Sequence, residues 1–130
     1  MATRSAPVEL DTRRAYEAAA KGDGRRILVD RLWPRGVSKD ALAADAWIKA
    51  IAPSDGLRQW FGHDPERWEG FRERYFKELD ANPEGLEALL DELRDVKRAT
   101  LLFAAADTRH NNATALLQYL VAAHHAREAA

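Results

Sequence analysis

Two polar runs hold the residues best suited to chemistry. Asp30-Arg31, with Arg35 four residues on, follows the apolar run Ile27-Leu28-Val29. Asp107, His110, Asn111 and Asn112 follow a second apolar run, Leu101 to Ala104. A guanidinium offers a planar fork of donors to phosphate or carboxylate, so Arg31 and Arg35 suit an anionic ligand. The alternative for Arg31 is an ion pair with Asp30 or Asp107 that stitches two loops together. Asp30, Asp107 and His110 are the candidate acid/base groups. The alternative for the acids is turn or helix capping. Asn111 and Asn112 can donate hydrogen bonds to a ligand where a helix begins and free backbone N–H groups point outward, or can act as caps there. Trp33, at the exit of the first run, can stack on a ligand ring or wedge the loop. Ser54, after Ala52-Pro53, completes the candidate ligand-binding set and is also a natural N-cap.

These residues need elements to position them. Val8, Leu10 and Thr12 alternate with Glu9, Asp11 and Arg13, which predicts an edge strand over 8–16 with one wet face. Arg26 to Leu32 reads as a strand buried on both faces, closed by Pro34-Arg35-Gly36. Ser38 caps a short helix over 39–44. Ala46 to Ile51 leans to a strand because Trp and Ile favour sheets, with a helix extended from Ser38 as the rival. Ser54, Asp64-Pro65 and Asn82-Pro83 are three helix-start signals. Trp68, Phe71, Tyr75 and Leu79 form one stripe after them, and Leu86, Leu89, Leu90 and Leu93 another. Ala99 to Ala104 is a buried strand, and Ala113, Leu116, Leu117, Leu120 and Val121 line a last helix. Strands alternating with helices predict an α/β fold: a single domain over 1–130 with a small, mostly parallel sheet flanked by helices. In such a sheet the polar runs that follow the strands share its carboxyl edge, where α/β proteins bind ligands.

Composition narrows the classes. The 130 residues are 46% hydrophobic, with four Trp, three Tyr and four Phe, enough for one core. There is no cysteine, which removes thiol nucleophiles and zinc–thiolate sites and fits a reducing cytoplasm. No apolar run has the ~18 residues that suggest a membrane span, and the amino terminus reads as having no secretion segment. The net charge of -1 hides an asymmetry: nine Lys/Arg against five Asp/Glu over 1–39, and eleven against sixteen afterwards. A wholly basic nucleic-acid binder is not favoured, while a local basic mouth for an anion fits. His63 and Asp64, with Asp107 and His110, show no recognised metal-ligand spacing, so no metal site is assigned. His124 and His125 read as cations at the end of the last helix.

Leu28-Val29-Asp30-Arg31-Leu32-Trp33-Pro34-Arg35-Gly36-Val37-Ser38, Ala52-Pro53-Ser54 and Leu57 to Pro65 together resemble the YeaO-like family, a branch of domain-of-unknown-function family 488. The late motif, Leu101 to Ala105 followed by Asp107, His110 and Asn111, resembles the same family, so the likeness runs from about 26 to 120. It implies a fold and no activity. Many YeaO-like proteins have histidine where this chain has Asn112; an amide cannot shuttle a proton near neutral pH, but it can bind. No G-x-S-x-G elbow, P-loop or GxGxxG is present, and the sequence assigns no cofactor or oligomeric state. The expectation is a small anionic ligand, phosphorylated or nucleotide-like, at the sheet edge, with turnover left open. The rival is a regulatory module that binds nucleic acid or protein.

Overall fold

The computed structural model describes residues 8–129, with side chains described to residue 123. The readings that rest on the amino terminus, His124 and His125 lie outside the described residues. The strands are β1 (Glu9–Arg14), β2 (Arg25–Leu28), β3 (Ala46–Trp47) and β4 (Arg98–Phe103). They form one all-parallel sheet in the order β1-β4-β2-β3. The helices are α1 (Lys39–Leu42), α2 (Asp55–Phe61), α3 (Trp68–Asp80), α4 (Pro83–Leu93) and α5 (Asn112–Ala129). The fold is α/β, as the alternation of elements predicts.

Both faces of the sheet are covered, which is why its central strands read as unbroken apolar runs. Ile27, Val29, Leu101 and Phe103 point to one face and pack with Phe61, Phe71, Tyr75, Leu89 and Leu116 from the helices. Leu28 and Leu102, one residue out of phase, point to the other face with Ala15 and Leu42. Loops and α1 cover that second face, with Trp33 and Trp47 packed against it. The helix-start signals hold. Ser38 accepts from Ala41 N at 3.0 Å, Ser54 from Leu57 N at 3.2 Å, and Asn82 from Gly85 N at 3.0 Å. Asp64 instead caps a single 3-10 turn, Pro65–Arg67, that leads into α3. Leu89 and Leu93 are buried, whereas Leu90 is turned to solvent.

Two strands are shorter than their β propensity suggests. The third ends at Trp47, and a 3-10 turn at Lys49–Ile51 follows. Helices capture the carbonyls there: Tyr75 Oη donates to Ile51 O at 2.6 Å and Asn82 Nδ2 to Ala50 O at 2.7 Å. Tyr75→Phe should therefore cost about 1–2 kcal/mol, by orphaning a buried carbonyl, read as a lower urea midpoint at unchanged slope. The second shortened strand is β2, which stops at Leu28 rather than Leu32. Val29 N still donates to Leu102 O at 3.2 Å, but the next rung is made by the Asp30 side chain, and Leu32 is exposed. At the opposite end of β2, Gly24 has φ +67°, and a Cβ there would lie 2.2 Å from Arg98 O, so this turn accepts only glycine.

Candidate functional site

Beyond the carboxyl ends of β2 and β4 lies a cavity of about 460 Å³. Its position follows from the topology. After β2 the chain turns toward β3, while after β4 it enters α5, which packs on β1 and β4. Adjacent strands whose outgoing connections diverge leave a crevice between them, the switch point at which open α/β sheets bind ligands. Asp30, Ala104, Ala105, Asn111 and Asn112 line it from the strand exits and the start of α5. Arg31, Trp33 and Arg35 line it from the loop after β2, and Pro53, Arg58, Gln59 and His63 from α2 and its flanks.

Asp30 clasps the strand exits together. Its Oδ2 accepts from Ala104 N at 2.9 Å and its Oδ1 from Asn112 Nδ2 at 3.0 Å, while its own carbonyl accepts from Trp47 Nε1 at 2.7 Å. Burial pushes its carboxyl pKa up; the hydrogen bonds from Asn112 and Ala104 and the charge of Arg58 oppose this without cancelling it. The amide of Asn112 also reaches Val29 O at 3.2 Å, so this residue holds α5 to β2. Asn111 is buried and caps α5, accepting from Thr114 N at 2.8 Å and donating to Asp107 O at 3.0 Å.

The arginines pair with neither Asp30 nor Asp107. Arg31 Nε lies 3.4 Å from Asp55 Oδ1, and Arg58 Nη1 lies 3.3 Å from the same oxygen. Arg31 Nη2 also makes a long contact, 3.5 Å, to Pro53 O. Arg35 is exposed at the rim, and among the described residues it makes no ion pair. Trp33 is anchored by its Nε1, which donates to Val37 O at 2.6 Å, and by an edge-on contact with Trp47 at 5.4 Å.

Three predicted residues stand outside this lining. Ser54 faces α3, its Oγ 2.6 Å from Glu78 Oε2 and its N–H 2.9 Å from Glu78 Oε1. Asp107 Oδ1 accepts from the backbone N–H of Arg109 and of His110, each at 2.9 Å, and its Oδ2 meets His110 Nδ1 at 2.9 Å. The His110 ring stands edge-on to Trp68 at 5.2 Å. The hydrogen bonds, first that from Arg109 N and then those from His110, lower the Asp107 pKa to about 2. A depressed carboxyl stabilises the fold above its unfolded value of roughly 3.9 and loses that contribution as pH falls. Asp107→Ala should thus be less stable than wild type at neutral pH, with the gap closing toward about pH 2, as a series of melts across pH would show.

Sequence reasoning missed Arg58, Gln59, His63 and Tyr16 as lining residues. Arg58 and Gln59 sit on the polar side of α2, where only the apolar spacing was informative. His63 follows the αL cap Gly62 and itself has φ 57°, a conformation uncommon outside glycine that a histidine–aspartate pair does not announce. Among the described residues, no three His, Asp or Glu side chains gather to hold a metal ion, and no helix is long and apolar enough to cross a membrane.

A family model described as the inactive DUF488-N3 subclade matches residues 9–130. The uncharacterized protein YeaO of Escherichia coli (strain K12) is 40% identical over 113 residues, which cover 87% of this chain and 97% of that protein. The uncharacterized protein Rv3073c of Mycobacterium tuberculosis (strain H37Rv) is 40% identical over 110 residues, covering 82% of this chain and 89% of that one. No solved structure matches the chain.

Proposed function

The chain belongs to the DUF488 family as a YeaO-like protein, and from there we propose that it binds a small anionic ligand in the switch-point cleft, as a cytoplasmic binding protein rather than a catalyst. The observation that carries this reading is the convergence of Arg31, Arg35 and Arg58 on one cavity at the carboxyl edge. Arg31 and Arg58 share a single carboxylate oxygen at 3.3–3.4 Å, contacts that an incoming phosphate or carboxylate can replace with shorter, two-pronged ones. Binding without turnover is favoured because both oxygens of Asp30 already accept hydrogen bonds from the protein. The Asp107–His110 pair stands outside the lining, and the description of the subclade as inactive agrees. Nucleic acid is the lesser reading, since the chain after residue 39 is acidic.

The test is a thermal-shift screen of nucleotides, sugar phosphates and small carboxylates on wild type, Arg31→Ala and Arg58→Ala. A ligand at about 100 times its dissociation constant adds roughly 2.7 kcal/mol to the native state. Stabilisation of wild type that either alanine variant abolishes supports the site. Wild type unmoved by every compound sinks it, and a gel shift that weakens steeply with salt would then favour a nucleic-acid partner.

A further inference from the structure

We infer that the anion bound in this cleft is carried on a planar ring, a ligand of the nucleoside monophosphate class, and that Tyr16 is its ring-binding residue. The inference rests on the anion-binding reading above and adds the other half of the ligand.

The cavity of about 460 Å³ falls within the range of roughly 300–1,000 Å³ seen for sites that enclose whole organic ligands. A bare phosphate would leave most of it to water. Its border is also unusual in composition. Tyr16, 47% exposed, and Leu32, 65% exposed, are two of the four large hydrophobic side chains exposed among the described residues, and both line this cleft.

Tyr16 is exposed but anchored. Its neighbour Ala15 is buried and donates its N–H to Phe103 O at 2.7 Å, extending the β1–β4 ladder. Arg14 donates through Nε to Ala105 O at 2.9 Å and through Nη2 to Ala104 O at 3.3 Å. The same guanidinium lies over the Tyr16 ring, 5.0 Å from its centroid. A cation fixed to the exit of β4 thus holds an aromatic ring at the cleft and leaves nearly half of the residue open to solvent. A held aromatic surface is a stacking platform, and it loses little conformational freedom when a ring lands on it.

The spacing agrees. Tyr16 follows β1 and Arg31 follows β2, with β4 between them. Two strand spacings of ~4.8 Å separate those exits by about 10 Å, comparable with the length of a nucleoside monophosphate. Its phosphate would lie toward Arg31 and Arg58 and its base toward Tyr16.

The experiment is equilibrium binding of AMP, GMP, CMP and UMP beside ribose 5-phosphate, on wild type, Tyr16→Phe, Tyr16→Ala and Arg58→Ala. Wild type is expected to hold at least one nucleotide about tenfold or more tighter than ribose 5-phosphate. Tyr16→Ala should bring that nucleotide down to the sugar phosphate's level without changing the sugar phosphate itself, and Tyr16→Phe should keep the preference. Arg58→Ala should weaken all the ligands together. Equal affinity of wild type for nucleotides and ribose 5-phosphate overturns the inference while leaving the anion site standing. So does an equal loss for both kinds of ligand in Tyr16→Ala. Wild type that binds none of the five overturns the inference, and the anion site then stands or falls on the small carboxylates of the wider screen.

Discussion

Asp23→Ala should lower the stability of the protein by about 3–5 kcal/mol, the cost typical of breaking a buried ion pair by removing one partner. Asp23 and Arg26 are each 4% exposed. The carboxylate Oδ2 lies 2.5 Å from Arg26 Nη1 and accepts from Ala20 N at 2.9 Å, while its Oδ1 is 3.3 Å from Arg13 Nε. Arg26 Nε and Nη2 both donate to Leu42 O, at 3.0 and 2.7 Å, and Thr100 Oγ1 donates to Asp23 O at 2.7 Å. Removing the carboxylate strands a guanidinium that cannot shed its proton beneath the second face of the sheet. Asp23→Leu combined with Arg26→Met should recover most of the loss, because a packed apolar pair does not require charge balance.

The same pair has a pH signature. Burial pushes the Asp23 pKa up, but the hydrogen bonds from Ala20 and Arg26 and the charges of Arg13 and Arg26 outweigh it, and the net direction is down. The pair's contribution is therefore present above the unfolded carboxyl value of roughly 3.9 and is lost as pH falls through the folded one. Urea titrations at pH 7 and in acid measure both effects. Because the pair sits at the amino end of β2, away from the cleft, any anion response should survive in Asp23→Ala once the protein is folded. An arginine that scaffolds and an arginine that binds are separated by that comparison.

Asp30→Ala should cost about 2–4 kcal/mol, because it orphans the Ala104 N–H and the Asn112 amide together at roughly 1–3 kcal/mol each, less the relief of a buried charge. Asp30→Asn should be nearly as damaging. Both oxygens face donors, Ala104 N on one side and Asn112 Nδ2 on the other, so an asparagine amide group must point at one of them. An Asn variant that kept wild-type stability would show that the clasp does not hold the strand exits together. The pH sign is opposite to that of Asp23. The Asp30 pKa is raised, so its contribution is fullest below the unfolded carboxyl value and declines as pH rises through the folded one. Wild type minus Asp30→Ala, followed across pH, isolates that slope.

The residues that ended elements by local chemistry were legible from the chain itself. Ser38, Ser54, Asp64-Pro65 and Asn82-Pro83 each cap as their side chains require, since a cap depends only on the next three residues. The runs at 26–32 and 99–104 were legible as buried strands because parallel strands with two covered faces need apolar residues in both phases, although the first pairs only as far as Leu28. Arg26 inside such a run carried no sign of its partner: the ion pair with Asp23 depends on a turn whose path the β4 strand dictates. Arg31 and Arg35 were legible as candidates for an anion, but Arg58 and Tyr16 were not. Arg58 lies on the polar side of α2, where helix periodicity marks only the buried side, and Tyr16 lies in the turn after β1, far along the chain from its companions in the cleft.

Local sequence thus determined the α/β class, the family and which polar runs sit at strand exits, because propensity, capping and apolar period act over a few residues. The order β1-β4-β2-β3 was left to tertiary structure, and with it everything about which runs meet. By inserting β4 between β1 and β2, it brought Tyr16, Asp30, Arg31 and Asn112 around one cavity and left Ser54, Asp107 and His110 outside the lining. Ser54 was free to face Glu78, and His110 to close on Asp107, because hydrogen bonds across the packed fold compete directly with any role at the edge. That competition is settled by distance in three dimensions, which spacing along the chain does not encode.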